Sequence, residues 1–314
     1  MSFNVVVTDQ VFPDVQRERS LLSEVGATLE VATGDRDAVL AAAAGADAVL
    51  TTYFAIDAEA ITRLRQCRII ARYGIGVDNI DLEAARAAGI AVTNVPDYCV
   101  DEVAAHTVAM MLSLLRKLAT ADRAMRAGAW GVATVRPMRR PDQLTIGLVG
   151  YGRIGRRVTE MLAPFGMSFL AYDPYVKDIP GVELVELDDL LQRADAVSLH
   201  SPLTEETRGL IGAQQLARMK ESAVLVNTSR GPLVQLGALV DALRDGRIAA
   251  AALDALDVFE QEPPDAAALA DVENLLMTPH VAFYSEDAIA ESQTKAATQV
   301  VKALTDQPLD YLLN

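Results

Sequence analysis

Thr145-Ile-Gly-Leu-Val-Gly-Tyr-Gly-Arg-Ile-Gly-Arg156 is the most informative stretch of this 314-residue chain. An apolar strand runs into Gly150, Gly152 and Gly155, which have the spacing G-x-G-x-x-G, and apolar residues then follow at helical spacing. In a strand–turn–helix of this kind, the first glycine permits the turn, the second lets a pyrophosphate approach the backbone, and the third lets the helix pack on the strand. The stretch predicts a dinucleotide site at the N-terminus of the helix.

A second apolar strand, residues 167–173, follows the predicted helix and ends in Asp173, 18 positions beyond Gly155. A carboxylate at that distance can accept hydrogen bonds from the adenosine ribose hydroxyls. The next two residues, Pro174 and Tyr175, offer no cation for a 2′-phosphate. We therefore predict that the cofactor is NAD rather than NADP.

Short apolar strands alternate with helical segments on both sides of the glycine-rich stretch, and this rhythm is typical of parallel sheets. We predict the α/β class, with two doubly wound parallel-sheet domains of the Rossmann or flavodoxin type and a cleft between them. Residues 100–283 should form the NAD-binding domain. The last helix, from about residue 285 to residue 304, has no strand after it, so we expect it to pack on the first domain. The substrate domain would then comprise residues 1–99 plus 284–314.

A long helical pattern extends from about residue 101 to residue 126 and carries apolar residues over a wide arc. Such an arc on so long a helix indicates burial against something larger than its own domain. We expect this helix to lie in the twofold interface of a homodimer.

The composition restricts the partners and the compartment. A formal net charge of −15 and an isoelectric point near 4.6 argue against binding of nucleic acid or an anionic membrane. Two cysteines, Cys67 and Cys99, supply neither a disulfide framework nor a zinc site, so we expect no metal and a reducing compartment. No apolar run approaches the roughly 20 residues that cross a bilayer. These features predict a cytoplasmic protein.

A glycine-rich loop follows the fourth predicted strand, at residues 72–81. Gly74 and Gly76 flank Ile75, so consecutive backbone N–H groups can form a nest that holds a carboxylate. An ordinary glycine turn explains the stretch equally well.

The chain contains three histidines, and only one has the position expected of a general acid–base. His106 lies within the long helix among apolar neighbours and is expected to be packed, whereas His200 ends a strand and is expected to be a hydrogen-bonded loop residue. His280 follows a strand and precedes the last helix, at the predicted seam between the domains. A proton donor for carbonyl reduction belongs in such a cleft.

Seven short motifs occur along the chain in one order, at residues 72–81, 147–155, 173, 200–207, 227–232, 257–263 and 278–280. In these motifs the chain resembles the D-isomer-specific 2-hydroxyacid dehydrogenase family over its whole length. Residues 94–102 and 280–286 look most like the branch that includes the C-terminal-binding-protein dehydrogenases. That branch commonly has Trp where this chain has Phe283, and the resemblance implies that this residue contacts the substrate.

The resemblance implies a role for each matching residue. Arg230 would bind the substrate's carboxylate and keto oxygen with its planar guanidinium, and His280 would donate the proton to the carbonyl. Glu262 would pair with His280 and stabilise its protonated form, while the amides of Ile75 and Gly76 would hold the carboxylate. The residues implied to bind the cofactor are Gly150, Gly152, Arg153, Ile154, Gly155, Asp173, Pro202, Thr207, Thr228 and Ser229, with Asp254 or Asp257.

Two acids compete for the contact on the nicotinamide side. Counting forward from Gly246 selects Asp254, and counting back from Pro263 selects Asp257. We favour Asp254 because it lies nearer the end of its strand.

The resemblance implies an NAD-dependent oxidoreductase that interconverts a small, anionic D-2-hydroxy acid and its 2-keto acid by hydride transfer. An alternative is an NAD(H)-sensing binding protein of the corepressor type with secondary dehydrogenase activity, since some members of the resembled branch have such a role. The complete set of Arg230, Glu262 and His280 favours the enzyme.

Overall fold

A computed structural model of the chain describes residues 3–256 and 269–314. The chain divides into two compact units, with boundaries after Tyr98 and after Tyr284. Unit 1 contains the residues up to Tyr98 and resumes at Ser285, whereas unit 2 runs from Cys99 to Tyr284. The predicted boundaries follow residues 99 and 283, and the assignment of unit 1 as the substrate domain stays a prediction.

Unit 1 is built on a five-stranded parallel sheet with the order β2-β1-β3-β4-β5, the order of flavodoxin-like folds. Its strands are β1 (Phe3–Val7), β2 (Ala27–Val31), β3 (Ala48–Thr51), β4 (Ile69–Arg72) and β5 (Ala91–Thr93). All residues of β3 and β4 are buried, as expected for strands covered on both faces. The helices between the strands are α1 (Gln16–Ser23), α2 (Arg36–Ala43), α3 (Ala58–Arg63) and α4 (Leu82–Ala87).

Three of these helices begin at an aspartate whose side chain accepts a hydrogen bond from the backbone N–H three residues ahead. Asp35, Asp57 and Asp81 cap α2, α3 and α4 in this way, each at 2.9 Å. Such a cap satisfies one of the free N–H groups of the first turn and stabilises the helix by about 1 kcal/mol. The last helix of the chain, Glu286–Leu304, packs against α1 and β4.

Unit 2 is built on a seven-stranded parallel sheet with the order β12-β11-β10-β9-β6-β7-β8. Its strands are β6 (Thr145–Val149), β7 (Ser168–Tyr172), β8 (Glu183–Leu184), β9 (Ala196–Leu199), β10 (Val224–Asn227), β11 (Ala250–Leu253) and β12 (Leu275–Met277). Its helices are α5 (Val100–Leu115), α6 (Leu118–Arg126), α7 (Arg153–Leu162), α8 (Leu187–Arg193), α9 (Ala213–Arg218) and α10 (Leu236–Arg244). The order reverses direction between β6 and β9, which is the Rossmann arrangement. The predicted class, with two doubly wound parallel sheets, is confirmed.

The prediction of one long helix over residues 101–126 is wrong. Helix α5 ends at Leu115 and α6 begins at Leu118, because Lys117 between them adopts a left-handed backbone with a φ of 53°. The apolar residues of α5 pack into the core of unit 2, beside α7 and β10: Met110 and Met111 are buried, and Val108, Leu112, Leu114 and Leu115 are partly buried against the same core. The apolar arc of α5 therefore needs no second subunit to explain it.

No helix within residues 3–256 and 269–314 is both long enough and apolar enough to span a membrane. The cytoplasmic location stays a prediction.

Candidate active site

Two of the three glycines in the loop after β6 are required by the packing of the protein itself. Gly150 has a φ of 92°, and a Cβ on it would lie 2.7 Å from the carbonyl carbon of His200. A Cβ on Gly155 would lie 2.7 Å from the carbonyl oxygen of Gly150. Neither contact is tolerable, so both positions exclude any side chain.

Gly152 differs from its two neighbours in the fingerprint. A Cβ on Gly152 would meet no atom within 4 Å, and the residue has an ordinary φ of −76°. The protein therefore does not need glycine at this position for its own packing. The open space lies at the N-terminus of α7, beside Arg153 and Ile154, where a helix dipole and free N–H groups favour a phosphate. These residues fit the pyrophosphate of a dinucleotide.

Replacing glycine with alanine should therefore affect cofactor binding at position 152 and stability at position 150. Gly152→Ala should leave the melting temperature unchanged and weaken NADH binding at least tenfold, because the methyl group enters only the open space. Gly150→Ala should lower the melting temperature by several degrees, because its methyl group meets the backbone at His200. Thermal unfolding and NADH fluorescence titration measure the two effects. Wild-type NADH affinity in Gly152→Ala would contradict the assignment of the pyrophosphate site.

Asp173, the predicted acceptor of the ribose hydroxyls, follows β7 and also holds the glycine loop. Its Oδ2 accepts a hydrogen bond from Tyr151 N at 2.7 Å, and its Oδ1 accepts one from Tyr175 N at 2.9 Å. An ionised carboxylate has about four acceptor positions, so capacity remains for ribose hydroxyls. The contact with the loop joins residues 22 positions apart, and no local sequence signal indicates it.

The loop after β9 contains two further predicted cofactor residues. The Thr207 hydroxyl donates a hydrogen bond to the Pro202 carbonyl oxygen at 2.7 Å and accepts one from Thr204 N at 2.8 Å. Thr207 thus closes a turn beside the glycine loop, since β9 pairs with β6.

Arg230 stands in a loop that Asn227 organises from the end of β10. The buried Asn227 side chain donates to the Arg230 carbonyl oxygen at 2.8 Å and accepts from Ser229 N at 3.0 Å. Ser229 Oγ donates to the Leu199 carbonyl oxygen at the end of β9, at 2.7 Å. The arrangement is an Asx turn, and Asn227 is a structural residue that the sequence analysis missed although its type at a strand end is the usual signal.

His280 follows β12 and has a left-handed backbone with a φ of 51°, which is uncommon for a residue other than glycine. Asp254, at the end of β11, holds this conformation with both its backbone and its side chain. The Asp254 carbonyl oxygen accepts from His280 N at 2.9 Å, and its carboxylate accepts from Val281 N and Ala282 N at 3.0 and 2.9 Å. The His280 ring meets the edge of the Phe283 ring at a centroid distance of 5.6 Å.

The side chain of Asp254 is 1% exposed. Besides the two backbone groups, it accepts a hydrogen bond from the Thr278 hydroxyl at 2.5 Å. The predicted contact of Asp254 with the nicotinamide side stays a prediction. The competing residue Asp257 and the proposed partner of His280, Glu262, lie outside the described residues.

The other two histidines differ from His280 in their surroundings. His200 is partly buried, its Nε2 lies 2.9 Å from Ser198 Oγ, and desolvation lowers its pKa to about 4, so it is neutral at pH 7. His106 is more than a packed side chain, because its Nε2 lies 3.1 Å from Thr278 Oγ1.

Most of the predicted site residues lie at the carboxyl ends of the strands of unit 2, which form one edge of its sheet. Because all seven strands are parallel, the glycine loop, Asp173, Thr207, Arg230, Asp254 and His280 all follow strand ends on the same edge. Open α/β sheets bind their ligands at this edge, at the point where the strand order reverses. The described residues contain no group of three or more His, Cys, Asp or Glu side chains that could hold a metal ion.

The predicted carboxylate nest follows β4 in unit 1. Among the residues that the structure describes, neither Ile75 N nor Gly76 N donates a hydrogen bond, while the Ile75 carbonyl oxygen accepts one from Asn94 Nδ2 at 2.7 Å. The guanidinium of the buried Arg72 lies against Gly74 and leaves no room for a Cβ there. A cation beside free N–H groups suits an anionic ligand in a chain with a charge of −15.

Residues 108–282 match the sequence model of the NAD-binding domain of the D-isomer-specific 2-hydroxyacid dehydrogenases. The chain belongs to this family. The match confirms the predicted family and its NAD-binding domain, whereas the resemblance to the C-terminal-binding-protein branch stays a prediction.

Two relatives illustrate the range of the family. The chain is 38% identical to D-3-phosphoglycerate dehydrogenase of Methanocaldococcus jannaschii, over 99% of this chain and 59% of that protein. It is 43% identical to glyoxylate reductase of Korarchaeum cryptofilum, over 79% of this chain and 75% of that protein. The chain therefore spans less than two thirds of the length of the phosphoglycerate dehydrogenase. It spans three quarters of the length of the glyoxylate reductase.

Solved structures of other proteins have the same fold as this chain. D-lactate dehydrogenase from Aquifex aeolicus, complexed with NAD and lactic acid, aligns with a TM-score of 0.87 and 28% identity over 99% of this chain and 98% of that one. An acyclic imino acid reductase in complex with NADPH and D-Arg aligns with a TM-score of 0.87 and 26% identity over the whole of both chains.

Proposed function

We propose that this 2-hydroxyacid dehydrogenase family member is an NAD-dependent oxidoreductase that interconverts a small D-2-hydroxy acid and its 2-keto acid. The observation that carries the proposal is the placement of Arg230 and His280 at the ends of β10 and β12, on the sheet edge that also bears the glycine loop. Asn227 and Asp254 hold the two loops by buried hydrogen bonds.

The two side chains have complementary chemistry. Arg230 binds the carboxylate and keto oxygen of the substrate through a planar fork of N–H donors, which fixes the orientation of the carbonyl. NADH held by the glycine loop and Asp173 would supply a hydride to the carbonyl carbon. His280 donates a proton to the carbonyl oxygen, so that the product is the hydroxy acid, and it takes this proton back in the oxidation. Glu262 is proposed to stabilise the protonated imidazole, and Phe283 to fix the plane of the ring.

The predicted role of the glycine-rich loop after β4 in unit 1, which is to hold the carboxylate of the substrate, is kept as a proposal. The amides of Ile75 and Gly76, beside the guanidinium of Arg72, have the character of a carboxylate nest. Substituting Arg72 with Met should weaken binding of a carboxylate ligand to this unit, as measured by calorimetric titration.

A panel of 2-keto acids tests the proposed function. NADH oxidation at 340 nm should occur with at least one of glyoxylate, pyruvate, hydroxypyruvate and 3-phosphohydroxypyruvate, since relatives are named for glyoxylate and for D-3-phosphoglycerate. In the reverse direction the D-hydroxy acid should react and the L-isomer should not. Absence of turnover with the whole panel would contradict the proposal. The alternative of an NAD(H)-sensing corepressor is not supported by these comparisons.

The proposed cofactor preference gives a quantitative prediction. NADH should exceed NADPH in kcat/KM by at least about tenfold, or 1.4 kcal/mol, because the Asp173 carboxylate repels a 2′-phosphate and accepts bonds from a free ribose. Asp173→Asn keeps an acceptor for Tyr151 N but removes the charge. It should therefore lower the ratio of kcat/KM for NADH to kcat/KM for NADPH. Steady-state kinetics with both cofactors measure it, and equal kcat/KM values for the wild type would overturn the assignment.

We also propose that the chain forms a homodimer, now on the evidence of α6 rather than α5. None of the side chains of α6 is buried, and the segment 118–132 exposes four large apolar residues, namely Leu118, Met125, Trp130 and Val132. Trp130 is 84% exposed, and single domains seldom leave such groups in water unless they bind a partner. Sedimentation at micromolar concentration should give twice the 33.7 kDa of one chain. A monomer under these conditions would contradict the proposal.

A further inference from the structure

Two adjacent residues of α5 contact the two loops on which the proposed reaction depends. His106 Nε2 lies 3.1 Å from the hydroxyl of Thr278, which precedes His280 by two residues. The hydroxyl of Thr107 lies 2.7 Å from the hydroxyl of Thr228, which precedes Arg230 by two residues. One dipeptide on one helix therefore contacts both the turn of the proton donor and the loop of the carboxylate-binding residue.

The direction of the hydrogen bonds at His106 follows from the groups involved. The Thr278 hydroxyl donates its only proton to Asp254 Oδ1 at 2.5 Å, because this carboxylate acts as an acceptor for two backbone N–H groups as well. The Thr278 oxygen must then accept from His106 Nε2–H. His106 Nε2 therefore carries a proton, and it also lies 3.7 Å from Asp254 Oδ1, so His106 approaches Asp254 both directly and through Thr278.

Asp254 transmits this contact to His280. The three consecutive N–H groups of His280, Val281 and Ala282 all donate to Asp254, the first to its carbonyl oxygen and the others to its carboxylate. These bonds hold His280 in its left-handed conformation, which an unrestrained histidine would leave. A change at Thr278 or His106 therefore reaches the backbone of the proton donor.

Thr107 acts on the other loop in the same manner. Its hydroxyl donates to the Val103 carbonyl oxygen at 2.7 Å, one turn back along α5, so its oxygen accepts the proton of Thr228. Both threonines are buried. Without this acceptor, the Thr228 hydroxyl would be left unsatisfied in the interior, and the loop would shift to find another partner.

We propose that His106 and Thr107 form a pair of positioning residues that fix the His280 turn and the Arg230 loop against a single helix. Helix α5 suits this task because it packs along β10 and β11, whose ends lead into Arg230 and Asp254. The proposal rests on the proposed function, in which His280 donates a proton and Arg230 binds the carboxylate.

Kinetic constants should separate the two contacts. His106→Leu should lower kcat for keto-acid reduction by about 10- to 100-fold with little change in the KM for the keto acid, because proton transfer depends on the placement of His280. Thr107→Val should raise the KM for the keto acid by about tenfold with a smaller change in kcat, because Arg230 binds the substrate before the reaction.

Conservative variants and a matched control distinguish positioning from a general loss of structure. His106→Gln keeps an N–H donor and Thr107→Ser keeps the hydroxyl, so each should recover most of the loss. Thr294 in the last helix makes the same bond as Thr107, to the carbonyl oxygen of Ala290 at 2.7 Å, but it is exposed. Thr294→Val should leave kcat and KM unchanged.

A spectroscopic test is independent of turnover. The chain has three histidines, so ¹⁵N-histidine labelling gives three ring spectra, and the His106→Leu variant identifies the signals of His106. In the wild type, His106 should be the Nε2–H tautomer. In Thr278→Val, His106 should no longer be held in this tautomer. In His106→Leu, the ring signals of His280 should shift.

The results can overturn the positioning role of His106 and Thr107 without overturning the proposed dehydrogenase function. If the wild type reduces a keto acid but the variants keep their kcat and KM, the positioning proposal is wrong and the proposed function stands. If the wild type reduces no keto acid of the panel, the proposed function fails, and the spectra alone decide the positioning: unshifted His280 signals in His106→Leu overturn it, and shifted signals support it.

Discussion

Replacing His280 with glutamine should lower kcat/KM for 2-keto acid reduction by about 10²–10⁴-fold, the usual contribution of a general acid. Glutamine has a similar size and can form hydrogen bonds, but it cannot give up a proton to the carbonyl oxygen. NADH binding should stay near the wild-type value, because the glycine loop and Asp173 follow β6 and β7 rather than β12. Steady-state kinetics and NADH fluorescence titration measure the two quantities.

A variant at Glu262 tests whether a neighbouring negative charge stabilises the protonated form of His280. Glu262→Gln removes the charge that is proposed to stabilise protonated His280, so the rate of reduction should begin to fall at a lower pH than in the wild type. If His280→Gln instead kept activity within tenfold of the wild type, another proton donor would be needed. His200, whose pKa is lowered to about 4 by desolvation, is neutral at pH 7 and unsuited to that role.

The second large effect is expected at Arg230. Arg230→Lys should lower kcat/KM by about 10²-fold and Arg230→Gln by about 10³-fold, since the loss of a charged, bidentate contact costs about 2–5 kcal/mol. Lysine keeps the charge but lacks the planar fork of donors. The decrease in kcat/KM for Arg230→Lys therefore measures what the bidentate geometry contributes beyond the charge. Most of the change should appear in the KM for the keto acid. An Arg230→Lys enzyme with a wild-type KM would show that the carboxylate binds elsewhere.

The sequence predicted the parts of the fold that depend on short-range patterns. Strand β6 and helix α7 follow from an apolar run, three glycines and helical spacing within residues 145–162. The break between α5 and α6 could not be found in this way, because Lys117 is neither glycine nor proline and yet has a positive φ. Strand β8 has only two residues, which is too short for a periodic pattern.

The candidate site was predictable in its residue types but not in its supporting contacts. Glycines, an acid and a histidine at strand ends can be read from one sequence, because parallel strands bring their ends to one edge. The bond between His106 and Thr278 joins residues 172 positions apart, and the bonds of Asp254 reach 28 positions along the chain. Only the folded sheet brings these residues together, so no local pattern indicates them.

The left-handed backbone of His280 bears on how such an enzyme could evolve or be improved. Histidine in this conformation costs of order 1 kcal/mol relative to glycine, and asparagine also tolerates it better. Selection for thermal stability alone would thus favour replacement of His280, the proposed proton donor, whereas selection for the proposed activity would retain it. Libraries screened only by melting temperature should accumulate inactive proteins at this position. Stabilising the enzyme therefore requires substitutions elsewhere, with residue 280 held fixed.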